Sequence, residues 1–209
     1  WGNAEKMLSP GLKICLLVAV EDIGQYGKLY RCVSGAYNSL QILANDLKYK
    51  LNKVKEDPFS ICLSQPDEYK QACYTNMMPG ILNLTASDLL KTEKYIENIP
   101  NQTATFKASI VADLFHEFIR MNLYHKDYNK IVGIKMCHSL SDPYRVSCIE
   151  GISGGHMKYG SPGSAYVKGL EFCSTESLRD DEENICYNSI LSRLLIWYSP
   201  SKSREICNS

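Results

Sequence analysis

Three segments bounded by cysteines give the main evidence for the fold: 62-CLSQPDEYKQAC-73, 137-CHSLSDPYRVSC-148 and 173-CSTESLRDDEENIC-186. The two cysteines are 11 residues apart in the first two segments and 13 apart in the third. Each segment also holds proline or acidic residues shortly before its second cysteine, which is typical of the first turn of a helix. We therefore predict that each second cysteine opens a helix, and that each first cysteine ends a shorter helix before it.

The first cysteines recur at a nearly constant interval once a unit without cysteines is included. Positions 62, 99, 137, 173 and 207 step by 37, 38, 36 and 34 residues. In the unit without cysteines, Ile99 and Ile110 stand 11 residues apart, as the cysteines do elsewhere. Apolar residues at both sites indicate that one disulfide has been lost as a pair. Positions four and eight residues after each second cysteine are mostly apolar, which places them on one face of a helix.

Periods of this length that hold two helices are typical of helical solenoids. We predict an all-α chain forming a single domain over residues 1–209, with about five two-helix units in a right-handed solenoid or compact helical array. The approximate units are 1–48, 49–86, 87–126, 127–163 and 164–209. We expect four disulfides within units, each stabilising the fold by about 2–3 kcal/mol in the loop-entropy model. The predicted pairs are Cys15–Cys32, Cys62–Cys73, Cys137–Cys148 and Cys173–Cys186.

The period, the two-helix unit and the bridged hairpin resemble disulfide-bonded relatives of tetratricopeptide repeats, of the Sel1-like kind. The resemblance extends over most of the chain and implies architecture only, so no ligand-binding residue is carried over. The chain lacks most of the Ala/Gly helix-packing pattern of those families, and their cysteine spacing is shorter.

Cysteine content and sequons favour an oxidising compartment. The chain has nine cysteines and no C-x-x-C, which excludes the usual zinc-ribbon, thioredoxin-type and c-type haem motifs. Asn83-Leu84-Thr85 and Asn101-Gln102-Thr103 are compatible with N-linked glycans. The sequence opens at Trp1, as expected of a processed chain. We expect an extracellular or cell-surface location, with the periplasm as a further alternative.

Charge and hydropathy indicate which partners to expect. The chain has 23 basic and 23 acidic residues, and this zero net charge argues against a nucleic-acid partner. The longest apolar run, residues 15–20, is too short to span a bilayer. The apolar stretch Leu194–Tyr198 instead predicts self-association or binding to another protein. No motif predicts a cofactor.

Cys207 occupies the first-cysteine position of a further unit, but no second cysteine follows it. Three alternatives are open for this residue. The chain is part of a longer repeat array, Cys207 forms a disulfide with another chain, or it is a free thiol.

Histidines give the main argument for an enzyme. His116-Glu117 begins like a helical zinc-protease motif, but Arg120 stands where the second histidine is required. His156 takes a position that Leu, Ile or Phe holds in other units, within the glycine-rich stretch 151–157. This pattern predicts either a small ligand site at a break in the helix or a structural histidine. No residue is predicted to be catalytic, and no metal site is expected.

We therefore predict a non-enzymatic protein, either a self-assembling structural subunit or a scaffold that binds a protein or ligand. The alternative is a secreted hydrolase or metal-dependent enzyme that uses His156.

Overall fold

A computed structural model describes residues 2–19, 27–122 and 129–208. These residues form twelve α-helices and no strand, with four disulfides. The helices are α1 Gly2–Ala19, α2 Lys28–Ala44, α3 Asn52–Glu56, α4 Ser60–Leu63, α5 Asp67–Leu84, α6 Leu89–Glu97, α7 Ala104–Asn122, α8 Lys130–His138, α9 Tyr144–Tyr159, α10 Ala165–Cys173, α11 Asp180–Trp197 and α12 Pro200–Cys207, with a 3-10 turn at Leu47–Tyr49. None of these helices is both long and apolar enough to cross a membrane.

Short and long helices alternate along the chain from α4 onward. The short helices α4, α6, α8 and α10 have four to nine residues, and the long helices α5, α7, α9 and α11 have 16 to 19. Cys173 ends α10, as the spacing predicts. The second cysteines, in contrast, lie inside their helices, because the proline and acidic residues before them already start the helix. Cys148 is the fifth residue of α9, and Cys186 is the seventh of α11.

The chain divides into two compact units, Trp1–Phe106 and Lys107–Ser209. In the first unit, α2 packs against α1 and α5. Tyr37, Tyr74 and Met77 are among the largest fully buried side chains there. The Tyr37 hydroxyl donates a hydrogen bond of 2.7 Å to Gln65, so this buried phenol has a partner.

Helix α9 forms the centre of the second unit. Every residue from Gly151 to Met157 is buried, and the helix packs against α8, α10 and α11. Its glycines lie against α7, because a Cβ on Gly151 would be 2.3 Å from the carbonyl oxygen of Ala112. A Cβ on Gly155 would likewise be 2.8 Å from the Cβ of Ile119.

The glycine-rich stretch is therefore an unbroken helix, and no break occurs at residues 151–157. Glycine has a low intrinsic helix propensity, but close packing of two helices outweighs that preference here. The helix ends only at Tyr159, before the turn formed by residues 160–164.

Candidate functional site

The four disulfides join the cysteine pairs that the spacing predicts: Cys15–Cys32, Cys62–Cys73, Cys137–Cys148 and Cys173–Cys186. Their Cα–Cα distances are 5.4–5.6 Å, which is ordinary for a disulfide. Each one links a helix to the next long helix. Ile99 and Ile110, which replace a cysteine pair in the sequence pattern, are both buried.

An ion cluster joins α8, α9 and α11; the buried Glu182 and Arg145 form its centre, and His138, Asp142 and Asp181 complete it. Glu182 is 0% exposed. Its carboxylate accepts a hydrogen bond from the Arg145 guanidinium and lies 3.0 Å from the His138 Nε2. Arg145 also donates to Asp181 at 2.9 Å and to Asp142 at 2.8 Å. One buried carboxylate thus holds together three helix ends.

Hydrogen bonding keeps Glu182 charged inside the protein. Burial by itself would raise the pKa of Glu182, but hydrogen bonds from the Arg179 backbone N–H, His138 and Arg145 lower it below its usual value. The Arg179 N–H donates at 2.9 Å from the residue before α11. This placement also puts the negative charge at the positive end of the helix dipole. We infer that the cluster is structural, since all its members point at one another.

Local sequence patterns do not predict this cluster, because the ion pairs that Glu182 and Asp181 form link residues 36 to 44 positions apart. The acidic run at residues 180–183 indicates only a helix start, and α11 does begin at Asp180. One signal was available. Glu182 lies one helical turn before the buried Cys186, on the same face, so an acid there faces the core and needs a cationic partner.

His156 lies on α9 and packs as a core residue. It is 2% exposed, and its ring centroid is 5.8 Å from that of Phe172 on α10. Burial, together with the charge of Lys168, lowers the pKa of His156 to about 4. The imidazole is therefore neutral at pH 7. Ile81 and Leu194, at the equivalent position of other long helices, are also buried.

His116 belongs to a second cluster of polar side chains, which lies where α7, α9 and α11 meet. Its Nδ1 is 3.6 Å from Asp113, and its buried Nε2 has no hydrogen-bond partner among the described residues. The absence of a side chain at Gly154 makes room for it, because a Cβ there would be 2.3 Å from Nε2. The Arg193 guanidinium carbon would be 3.0 Å from the same Cβ, so the imidazole and the guanidinium are neighbours. Arg193 is held by Ser189, to whose carbonyl and hydroxyl oxygens it donates.

Exposed apolar side chains cluster on the C-terminal half of α11. We call Leu191, Leu195, Ile196 and Trp197 the α11 surface; Leu195 is 70% exposed and Trp197 is 52% exposed. Leu191 and Leu195 are four residues apart and so lie on one stripe of the helix. Of the apolar stretch that the sequence singles out, Leu194 alone is buried.

Cys207 ends α12, the helix that follows α11 and contacts it. Its thiol is exposed and forms no disulfide in the structure. The neighbouring Ile206 is buried, so the last turn of α12 is packed while Cys207 itself faces outward.

Two further features lie in the first unit. Ile14, Leu16 and Leu17 are exposed near the end of α1, next to residues 20–26, which lie outside the described chain. A shallow pocket of about 360 Å³ lies between α1 and the segment 50–54. It contains none of the residues that the sequence predicts to be functional.

The sequon asparagines Asn83 and Asn101 are both exposed, the first in the last turn of α5 and the second in the turn before α7. No group of three or more His, Cys, Asp or Glu side chains in the described parts of the chain is placed to hold a metal ion. Comparison with known protein families, curated proteins and solved structures finds nothing that matches this chain. We therefore infer function from the disulfides, the ion cluster and the α11 surface.

Proposed function

We propose that this chain is an extracellular, non-enzymatic helical-repeat protein that binds a second copy of itself through the α11 surface. The observation that supports the proposal most directly is the α11 surface itself: four large apolar side chains exposed within seven residues. Leu191 and Leu195 lie on one stripe of the helix, and exposed apolar patches mark interaction sites.

A second copy is the partner that the chemistry favours. The formal net charge is zero, so two copies approach each other without net repulsion. Leu191 and Leu195 form a stripe that pairs with itself around a two-fold axis, as an isologous interface requires. Cys207, exposed on the adjoining helix, supplies a thiol that joins two copies through a disulfide in an oxidising compartment.

The extracellular location is supported by the four intramolecular disulfides, since such bonds persist mainly in oxidising environments. Disulfide mapping of the native protein tests it. We expect the four pairs to be oxidised in protein isolated under thiol-blocking conditions. Nine alkylatable thiols would overturn the extracellular location and the disulfide-linked dimer with it.

A concentration series in size-exclusion chromatography with light scattering tests the self-association. We expect the wild-type mass to rise towards that of a dimer, and Leu195→Glu to shift the chain to monomer. Leu90→Glu is the matched control, because Leu90 is an exposed leucine on a different helix, α6. Cys207→Ser should abolish the disulfide-linked dimer, which is seen only without reductant, but it should leave the noncovalent dimer that depends on concentration. A monomer at every concentration, or equal effects of the two glutamate variants, would contradict the proposal.

The finer architecture we propose is a repeat of two-helix units with the predicted bounds, in which units 49–86 and 164–209 each contain one further short helix, α3 and α12. Every α-helix of the described chain falls inside one of those units, and the short-long alternation recurs in four of them. In a repeat array each unit depends mainly on its neighbours. Replacing Cys62 and Cys73 by alanine should therefore reduce hydrogen-exchange protection mainly within residues 49–86 and the adjoining units. An equal loss in residues 164–209 would contradict the repeat.

The non-enzymatic role is supported by what the candidate side chains already do. His156 packs on Phe172, and Glu182 is bonded to Arg145 and His138. The alternative, a secreted hydrolase or metal-dependent enzyme that uses His156, would need a substrate to reach a side chain buried among helices. Zinc or another divalent ion that bound the wild-type chain stoichiometrically, but not the His156→Leu variant, would favour that alternative.

A further inference from the structure

The two sequons have different backbone settings although both asparagines are exposed. Asn83 is the penultimate residue of α5, so its backbone is helical. Asn101 lies in the turn of residues 98–103, which separates α6 from α7, and has a φ of +56°. Asparagine is among the few residues that readily adopt this left-handed conformation. An N-glycan acceptor belongs in a surface loop, which is the setting of Asn101.

The hydroxyl residue of the Asn83 sequon is part of the core. Thr85 is 3% exposed. Its hydroxyl lies 3.0 Å from the carbonyl oxygen of Ile81 and 2.9 Å from the hydroxyl of Thr92 on α6. A transferase that took this sequon in extended form would have to unwind the end of α5 and break the contact between α5 and α6.

The hydroxyl residue of the Asn101 sequon remains on the surface. Thr103 is exposed, and its oxygen accepts a hydrogen bond of 3.1 Å from the backbone N–H of Phe106 in the first turn of α7. This bond leaves the hydroxyl hydrogen of Thr103 available to other groups. The buried Ile99 holds the start of the turn against the protein, so the turn itself is presented outward.

The two sequons also differ in how early they fold during synthesis. A helix forms in about a microsecond, whereas a chain is synthesised at about 5–20 residues per second. Helix α5 packs on α2, which precedes it in the chain, so its packing partner is present when it emerges. The Asn83 sequon therefore closes into its helix early, while the Asn101 turn stays open.

We propose that Asn101, and not Asn83, carries an N-linked glycan, an inference that rests on the extracellular location proposed above. In the reaction, the side-chain amide nitrogen of Asn101 bonds to the anomeric carbon of an oligosaccharide carried on a lipid pyrophosphate. The carbon–oxygen bond to that pyrophosphate breaks, the lipid pyrophosphate leaves, and the amide nitrogen loses one proton. The secretory pathway supplies both the lipid-linked donor and the transferase.

Secretion of the full chain from a mammalian cell line, behind a cleavable signal peptide, tests this assignment. Intact mass before and after a peptide N-glycosidase should show one glycan, and peptide mapping should find the resulting Asn-to-Asp conversion at position 101. Asn101→Gln should abolish the glycan, and Asn83→Gln is the matched control that should keep it. Thr103→Ala removes the same sequon without changing Asn101, so it gives a second test if Asn101→Gln fails to fold.

Two kinds of result would overturn the assignment, and they are distinguishable. A secreted chain with four disulfides that has no glycan at Asn101, or has one at Asn83, overturns the glycan site and leaves the extracellular location intact. A chain that is retained in the cell with reduced cysteines overturns both.

Discussion

Arg145→Met should destabilise the protein by about 3–5 kcal/mol at neutral pH, because it leaves the buried Glu182 carboxylate without the guanidinium that is bonded to it. Methionine matches the length of the arginine stem, so the packing of α9 is retained while the charge is lost. Glu182, which is 0% exposed, would keep only His138 and the Arg179 backbone N–H. For a chain of this size, such a loss lowers the midpoint of thermal unfolding by about 6–20 °C.

The loss should depend on pH in a definite direction. In the wild-type protein the pKa of Glu182 is lowered, so its contribution to stability is present above the unfolded-state pKa and is lost as the pH falls through the folded-state pKa. Without Arg145 the pKa of Glu182 should rise, because one of the hydrogen bonds that lower it is lost while burial, which raises it, remains. The carboxyl group then protonates at a higher pH, and the cost of the buried charge falls. The difference between wild type and variant should therefore be largest at pH 7 and should shrink towards pH 4.

Urea unfolding followed by circular dichroism, with the disulfides intact, at pH 7, 5.5 and 4 measures this difference. Arg120→Met is the matched control. Arg120 is half-exposed and pairs with Glu117, which lies on the same helix, α7, so this variant should lower the free energy of unfolding by less than about 1 kcal/mol. The double variant Arg145→Met/Glu182→Met removes both charges and should recover most of the loss.

The reasoning would be refuted by an Arg145→Met variant that stays within about 1 kcal/mol of the wild type at pH 7, the range expected of a surface pair. A loss that does not change between pH 7 and pH 4 would refute the electrostatic cause even if its size were correct.

Three further predictions concern the core and the disulfides. Gly151→Ala should lower the free energy of unfolding by about 1–3 kcal/mol because the new methyl group would overlap α7. In Gly35→Ala the new methyl group meets nothing within 4 Å, so this variant should stabilise α2 by about 0.5–1 kcal/mol. Equal effects of the two variants in urea unfolding would contradict the close packing of α9 on α7. In the wild-type protein the free energy of unfolding should fall by about 3 kcal/mol between pH 6.5 and pH 4, because the lowered pKa of His156, about 4, means that the fold favours the neutral ring. His156→Leu should abolish this fall, and wild-type and variant stability curves that run parallel would argue against this. Cys62→Ala/Cys73→Ala should lower the free energy of unfolding by about 2–3 kcal/mol, measured by calorimetry, and an unchanged midpoint would be inconsistent with loop closure as the stabilising effect.

Local patterns in this sequence predict local structure well. The cysteine spacing alone indicates which cysteines pair, because every bonded pair lies within 17 residues along the chain. The helix that ends at Cys173 and the acidic start of α11 follow from capping and dipole preferences that act within one turn. Asp88 is a further local signal, because it caps α6 with a side chain that accepts the Lys91 N–H.

Features that depend on distant partners were not predictable in the same way. The glycines of α9 weaken an isolated helix, and only the presence of α7 alongside explains why they are helical. The sequence around Glu182 predicts only a solvent-exposed acid in the first turn of a helix. Its place in the ion cluster depends on Arg145, which is 37 positions earlier. The burial of Leu194 beside the exposed Leu195 and Ile196 depends on which face of α11 meets the rest of the second unit.

The pairing of sequence-adjacent cysteines has a consequence for how the chain is made. Each disulfide closes between two cysteines with no other cysteine between them, so no bond waits for a partner synthesised much later. After Cys73, the next cysteine is 64 residues further along, which corresponds to about 3–13 seconds of translation. If the chain enters an oxidising lumen, as the proposed extracellular location requires, it can complete its first two bonds within that interval, before the thiol of Cys137 has emerged. Vectorial synthesis thus excludes most wrong pairings, and the demand for disulfide isomerisation after release is small.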